Sequence, residues 1–267
     1  MKKTILTISF LFTTTIYASA ITITTGEESG NYFKMGHNLA KLIGTKSVTT
    51  SKGSVMNFDR LMSGEASIAI AQKDAFLYYL GKHKDAKGKI EVIGDLGKEC
   101  VYIVAKKGGK LDDDSDLQQK GVKIATGRLG SGSKITYEYM SKLEKGFAKA
   151  TVVQDGGMKA ISKVLSGDVD ASMYMLTPST TNKIIKTVMN NDQLFFLPVK
   201  DWDLNDKFEG KPIYTFEKMI TKKGFFNDKV KTICTSATIF AINSLDDTTM
   251  DRLADAVINN KNRIIGK

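Results

Sequence analysis

The sequence predicts an α/β protein of two lobes, each a mostly parallel sheet flanked by helices, joined by two hinge strands. Three observations carry this prediction. Short β-branched runs alternate with stretches of helical periodicity. A β-loop-α-β-α-β series occurs twice, which implies two lobes. A late strand stands outside both series, placed to return to the first lobe.

The first series begins with the β-branched run Ile21-Thr22-Ile23-Thr24-Thr25, which ends at Gly26 and reads as a strand. Tyr32 to Ile43 places apolar residues at helical spacing, with Gly44 as its stop signal. Ser47 to Thr50 is a second strand, Asn57 to Ser63 a helix closing on Gly64, and Ser67 to Ala71 a small-residue strand buried on both faces. Asp74 to Leu80 is helical, and Ile90–Ile93 and Val101–Ala105 are strands. The second series runs through a strand at Val122–Thr126, a helix at Lys134–Leu143, a strand at Thr151–Val153, a helix at Met158–Leu165 and a strand at Ala171–Met175. The two series share a phrase: Leu61-Met62-Ser63-Gly64-Glu65-Ala66-Ser67-Ile68-Ala69 parallels Val164-Leu165-Ser166-Gly167-Asp168-Val169-Asp170-Ala171-Ser172, a likeness that general βαβ grammar also accounts for. Thr235 to Ile242 is the late strand, pairing with Val101–Ala105 as a two-strand hinge, and Leu245 to Ile258 is a closing helix.

The N-terminus reads as a targeting segment. Lys2 and Lys3 precede the uncharged run Ile5 to Tyr17, and Ala18-Ser19-Ala20 has the small-residue form of a signal-peptide cleavage site. Residues 1–20 are therefore expected to be removed near Ala20, and the product exported. The expected division is 21–103 for lobe one, 104–235 for lobe two and 236–267 for the return to lobe one. The net charge of +10 is spread among acids rather than clustered. It favours solubility, with steering of an anionic ligand second, and no nucleic-acid partner is expected. Cys100 and Cys234 form an even pair, which in an oxidising compartment reads either as a disulfide or as two small buried hydrophobes.

Ligands of open α/β sheets bind beyond the carboxyl ends of the strands. The loops there carry the chemistry. Gly26-Glu27-Glu28-Ser29-Gly30-Asn31-Tyr32 and Gly127-Arg128-Leu129-Gly130-Ser131-Gly132-Ser133 both lead into helices, whose free N–H groups suit an anion. The plain alternative is a tight turn with N-cap serines. Ser51 to Asn57 repeats the design, and Gln72 and Asp74 follow the third strand. The ligand contacts expected are Ser29, Gly30, Asn31, Tyr32, Ser54, Asn57 and Gln72 from lobe one. From lobe two they are Arg128, Ser131, Gly132, Ser133, Tyr174 and Thr177. No catalytic residue, metal or cofactor is assigned. His37 and His83 lack metal-ligand spacing, and the Gly127 loop has neither the G-K-[ST] close of a P-loop nor a complete dinucleotide fingerprint.

In order and spacing these pieces resemble the TAXI group of substrate-binding proteins for tripartite ATP-independent periplasmic (TRAP) transporters. The matching residues are Thr25-Gly26…Gly30-Asn31-Tyr32-Phe33, Ser51…Gly53-Ser54…Asn57, Gly64-Glu65-Ala66…Ala69…Gln72…Asp74, Gly127…Gly130-Ser131-Gly132-Ser133, Gly167-Asp168-Val169-Asp170-Ala171 and Lys231-Thr232. The resemblance implies a type II periplasmic-binding fold with the ligand between the lobes. It implies delivery to a TRAP membrane permease, and glutamate, glutamine or another small organic acid as ligand; a monomer is expected, located in the periplasm by the signal segment. Two departures stand out. Arg128 occupies a position where such proteins often carry a small or apolar residue, and the aromatic expected before the late strand is Phe225 or Phe226, without a hydroxyl. Three rivals remain: the binding component of an ABC importer or a periplasmic sensor of the same fold, a secreted hydrolase using Ser131 or Ser133, and an adhesin-like envelope protein.

Overall fold

The computed structural model describes residues 21–208, 210–222 and 228–267. The expected signal segment and the Phe225/Phe226 position lie outside the described residues. The first lobe contains β1 (Thr22–Thr24), α1 (Asn31–Ile43), β2 (Ser47–Thr49), α2 (Ser54–Ser63), β3 (Ile68–Gln72) and α3 (Lys73–Lys82). A long strand, β4 (Ile90–Lys106), then crosses into the second lobe. There follow β5 (Lys123–Ala125), α4 (Gly132–Leu143), β6 (Thr151–Val153), α5 (Gly157–Ser166), β7 (Ala171–Leu176), α6 (Lys183–Met189) and β8 (Leu194–Leu197). A short ribbon of β9 (Lys207–Phe208) and β10 (Lys211–Pro212) precedes β11 (Thr215–Lys222). The return strand β12 (Asp228–Ile242) leads into α7 (Asp247–Asn259) and α8 (Lys261–Ile265).

Ten strands form one sheet, whose main path is β2-β1-β3-β12-β4-β7-β5-β6, with β11 beside β12 and β8 beside β4. Strands β1, β2 and β3 are parallel, as are β5, β6 and β7. Crossover connections of this kind require a helix between strands, and the repeated series supplies one each time. Both faces are covered. Val101, Ile103 and Ala105 of β4 enter one core with Tyr137 and Met173, while Tyr102 and Val104 enter another with Ile161 and Tyr174. In the first lobe Ile23, Ile68 and Ile70 pack under α1, and Ala69 and Ala71 pack with Phe58 and Phe76 on the opposite face. The shared phrase produces a shared geometry: Gly64 and Gly167 end α2 and α5 in the left-handed conformation at φ 77° and 83°. Ala66 and Val169 then each donate back to a carbonyl of the last turn.

The hinge differs from the sequence expectation. Ile90–Ile93 and Val101–Ala105 are parts of one 17-residue strand, β4. Val101–Ala105 pairs with β7 and β8, whereas Thr235–Ile242 pairs with β3 and the first half of β4. The crossing point lies at the cross-strand pair Cys100–Cys234. These two cysteines form a disulfide, closing a loop of 134 residues in sequence separation. Because the bridge joins strands already paired in register, it pins the crossing without tying one lobe's surface to the other's. Chain-entropy reasoning assigns a long loop of this kind a contribution of about 2–5 kcal/mol. Replacing both cysteines with serine is expected to lower unfolding stability by about that amount, read from denaturant midpoints.

Candidate ligand-binding site

Three helices begin at one cleft. Helix α1 starts after Gly30, α2 after Gly53 and α4 after Ser131. Their first residues, two helices from the first lobe and one from the second, line a single cavity of about 430 Å³. None of the three carries an acidic residue in its first turn, and the two glycine caps supply no side-chain acceptor. The unpaired N–H groups and positive dipole ends of three helices are therefore left without an anion from their own sequence.

Hydroxyls at these starts are oriented by backbone donors. Ser54 Oγ accepts from the Gln72 N–H at 3.2 Å, Ser133 Oγ from the Met175 N–H at 2.9 Å, and Ser131 Oγ from the Lys134 N–H at 3.4 Å. The last contact is the N-cap role that the plain alternative anticipated. A serine that only accepts retains its own O–H to donate. Among the described residues no protein acceptor takes any of these three protons, so all three hydroxyls can serve an anion.

The lobes meet around the cavity. Asn31 Nδ2 donates to Thr177 Oγ1 at 3.3 Å, and Arg128 pairs with Glu27 across the mouth. Deeper, Gln72 Nε2 donates to Thr136 Oγ1 at 3.2 Å, and Thr136 Oγ1 donates to Asp74 Oδ2 at 2.6 Å. Tyr214 also donates to Asp74, at 2.8 Å. Asp74 belongs to the first lobe, Thr136 and Tyr214 to the second. A Cβ placed on Gly53 would lie 2.1 Å from the Gly130 carbonyl oxygen, and one on Gly132 would lie 1.8 Å from Gln72 Oε1. At Gly53, where the obstacle is backbone and φ is 140°, only glycine permits the approach; at Gly132 a larger residue would require the Gln72 side chain to move.

Two carboxylates sit out of water here. Burial pushes Asp74 above its ordinary range, against the lowering effect of its Thr136 and Tyr214 hydrogen bonds. Glu99 lines the cavity at 9% exposure and accepts from Tyr32 OH at 2.5 Å. Burial pushes it up to about 7, with the Asp74 charge adding to the rise and the Tyr32 hydrogen bond opposing it. A carboxyl raised in this way favours the folded state while neutral. Its contribution is complete below the unfolded pKa of about 4.5 and is lost as pH rises towards 7. In the absence of ligand, Glu99→Gln is expected to raise stability relative to wild type more at pH 7.5 than at pH 5, by about 2–3 kcal/mol, in paired melts.

Of the residues expected at the site, Ser29, Gly30, Asn31, Tyr32, Ser54, Gln72, Arg128, Ser131, Gly132, Ser133 and Thr177 do line this cavity. Arg128 does so while engaged with Glu27, half-exposed at the mouth. Asn57 and Tyr174 require correction. Helix α2 begins at Ser54, a turn earlier than expected, so Asn57 faces the sheet. It accepts from Thr24 Oγ1 at 2.8 Å and donates to the Ile70 carbonyl at 3.0 Å, fully buried. Tyr174 points into the second-lobe core and donates to the Gly157 carbonyl at 2.9 Å; the cavity wall is made by the residues that follow it, Met175, Leu176 and Thr177. Sequence reasoning missed Glu99, Met175, Leu176 and Asn182, and also Ser51 and Lys52 as wall residues. His37 lies against Phe33 and His83 against Tyr79, both exposed and away from the cleft. Among the described residues no cluster of histidine, cysteine or acidic side chains could hold a metal ion, and no helix is long and apolar enough to cross a membrane.

Residues 23–266 match the sequence model of the NMT1-like family. The chain belongs to this family. No curated protein matches it in sequence. Its fold is similar to the amino acid ABC transporter substrate-binding protein AbpA from Streptococcus pneumoniae bound to L-arginine: TM-score 0.53, 14% identity, covering 91% of this chain and 90% of that one. It is similar to the GluR0 ligand-binding core from Nostoc punctiforme in complex with L-glutamate: TM-score 0.52, 11% identity, covering 92% and 96%. It is also similar to the ancestral amino-acid-binding protein AncCDT-1, a precursor of cyclohexadienyl dehydratase: TM-score 0.51, 16% identity, covering 91% and 92%. This member of the NMT1-like family thus has the type II periplasmic-binding fold that the sequence predicted.

Proposed function

We propose that this chain is a solute-binding receptor that closes its lobes around a small carboxylate-bearing ligand, an amino acid or organic acid, and presents it to a membrane importer. One observation carries the reading: three helix starts without acidic first turns, drawn from both lobes, surround one cavity of about 430 Å³. Such an arrangement favours an anion, and the volume falls within the roughly 300–1,000 Å³ of small-molecule sites. The similar structures that hold L-arginine and L-glutamate support an amino acid as ligand. The disulfide supports an exported, oxidising location, in keeping with the expected signal segment and the periplasm. The receptor acts as a monomer, its two lobes supplying the whole site.

The importer is better supported as an ABC system than as a TRAP permease. A structure of similar fold is an ABC transporter component, whereas the TRAP assignment stands on the TAXI resemblance of the sequence motifs. Neighbouring genes separate the two: an ATPase beside the receptor gene favours the ABC reading, and a multi-span permease without one favours TRAP. Calorimetric titration with the common amino acids and small organic acids tests the receptor itself. Saturable one-to-one binding of a carboxylate-bearing compound is expected. Binding of none, or turnover of ester or phosphate substrates, would remove the proposal.

A further inference from the structure

Glu99 has an unusual setting for a cavity that welcomes anions. It stands on β4 at the hinge, one residue before the bridged Cys100, and is buried to 9% exposure. Its Oε2 is held by Tyr32 from α1. Among the described residues, no donor reaches its Oε1 and no cation lies within ion-pair distance. Of the cations on the surrounding walls, Arg128 pairs with Glu27 and Lys98 with Glu217, while Lys52 on the wall of the same cavity, and Lys34 and Lys267 in a second cavity that Glu99 also borders, make no ion pair with it. The other ionisable groups acting on Glu99 are Tyr32 and Asp74, neither of them a cation.

A buried carboxylate without a counter-charge is costly, and the cost falls if a bound molecule brings the missing cation. Resting on the receptor reading above, we infer that Glu99 is the cation subsite of the cavity: it receives the ammonium group of a ligand whose carboxylate lies at the helix starts. The cavity then carries two opposite poles. Hydroxyls and free N–H groups of α1, α2 and α4 form the positive one, and Glu99 with Tyr32 forms the negative one. A zwitterionic α-amino acid satisfies both. A dicarboxylate without an amino group would bring a second negative charge towards Glu99 and meet repulsion, or force the carboxyl to stay protonated. Glu99 therefore selects amino acids against their deaminated counterparts, a discrimination by unmatched buried charge. Its neutral form is also accessible near neutral pH because of burial, so the empty cavity can exist without a naked charge and ionise as the ammonium arrives.

The test compares L-glutamate, L-glutamine and L-arginine with the amino-free glutarate and 2-oxoglutarate by calorimetry, on wild type and on Glu99→Gln. An amino acid from this panel is expected to bind wild type about thirtyfold or more tighter than the amino-free acids, the scale expected when a buried charge pair lacks one partner. Glu99→Gln should lose most of that factor on the amino acid while leaving the amino-free acids unchanged or tighter. Equal or tighter binding of the amino-free acids by wild type, or a preference that survives in Glu99→Gln, overturns the assignment but leaves the receptor reading standing. Failure of every panel member to bind wild type counts against both. The wild-type ratio stands without the variant, so the test does not depend on the substituted protein folding.

Discussion

Replacing Gly53 with alanine is expected to lower ligand affinity on the order of a hundredfold or more, with the fold retained. Gly53 has φ 140° and ψ −174°, a region open to glycine alone. An added Cβ would also sit 2.1 Å from the Gly130 carbonyl oxygen of the opposing lobe. That obstacle is backbone, so no side-chain rotation relieves it. The strain of about 1–3 kcal/mol is borne by the first lobe, but the collision acts only when the lobes approach. Closure and binding should therefore fail together. Calorimetry against the best ligand, with small-angle scattering to follow closure, reads both. Unchanged affinity would mean that the contact between the Gly53 and Gly130 loops is not part of the bound state.

The second large effect concerns Asp74. Its carboxylate accepts from Thr136 at 2.6 Å, from Tyr214 at 2.8 Å and from the Ala75 N–H at 2.8 Å. Asp74, Thr136 and Tyr214 are all buried. Asp74→Ala leaves these donors without an acceptor, each costing about 1–3 kcal/mol. A loss of about 3–5 kcal/mol in unfolding free energy is expected, measured by denaturant titration. The same substitution should weaken ligand binding, because Thr136 also anchors the Gln72 side chain that forms part of the cavity wall. Asp74→Asn keeps one acceptor oxygen and should cost less than half as much. A loss below about 1 kcal/mol in Asp74→Ala would show that the network does not hold the lobes.

Much of this architecture was legible in the residues because parallel sheets need helices between strands. The alternation of apolar runs and helical periods therefore located most elements, and the glycines closing α2 and α5 marked two ends to the residue. The hinge was less legible. Gly94, Gly97, Lys98 and Glu99 interrupt the apolar pattern of β4 and split it into two apparent strands. A hinge strand leaves one face open to a cleft, so its middle carries polar residues that look like a loop. For the same reason Glu99 gave no local sign of its role; only the return of β12 to the first lobe and the packing of Tyr32 enclose it. Asn57 misled because a polar residue at an apparent helix start resembles a ligand contact, when a turn of helix already precedes it. Tyr174 misled because the cavity wall begins one residue later, at Met175, while Tyr174 still belongs to the second-lobe core. The helix starts themselves were readable, since glycine and serine before a helical period are local signals.

The receptor reading stands or falls on an organic anion being held between the lobes by the starts of α1, α2 and α4. A crystal structure of the protein with its bound ligand tests this most directly. A carboxylate is expected with its oxygens about 2.7–3.2 Å from first-turn N–H groups or from the hydroxyls of Ser54, Ser131 and Ser133. A ligand seated with its carboxylate turned to solvent, or density at a surface away from these helix starts, would contradict it.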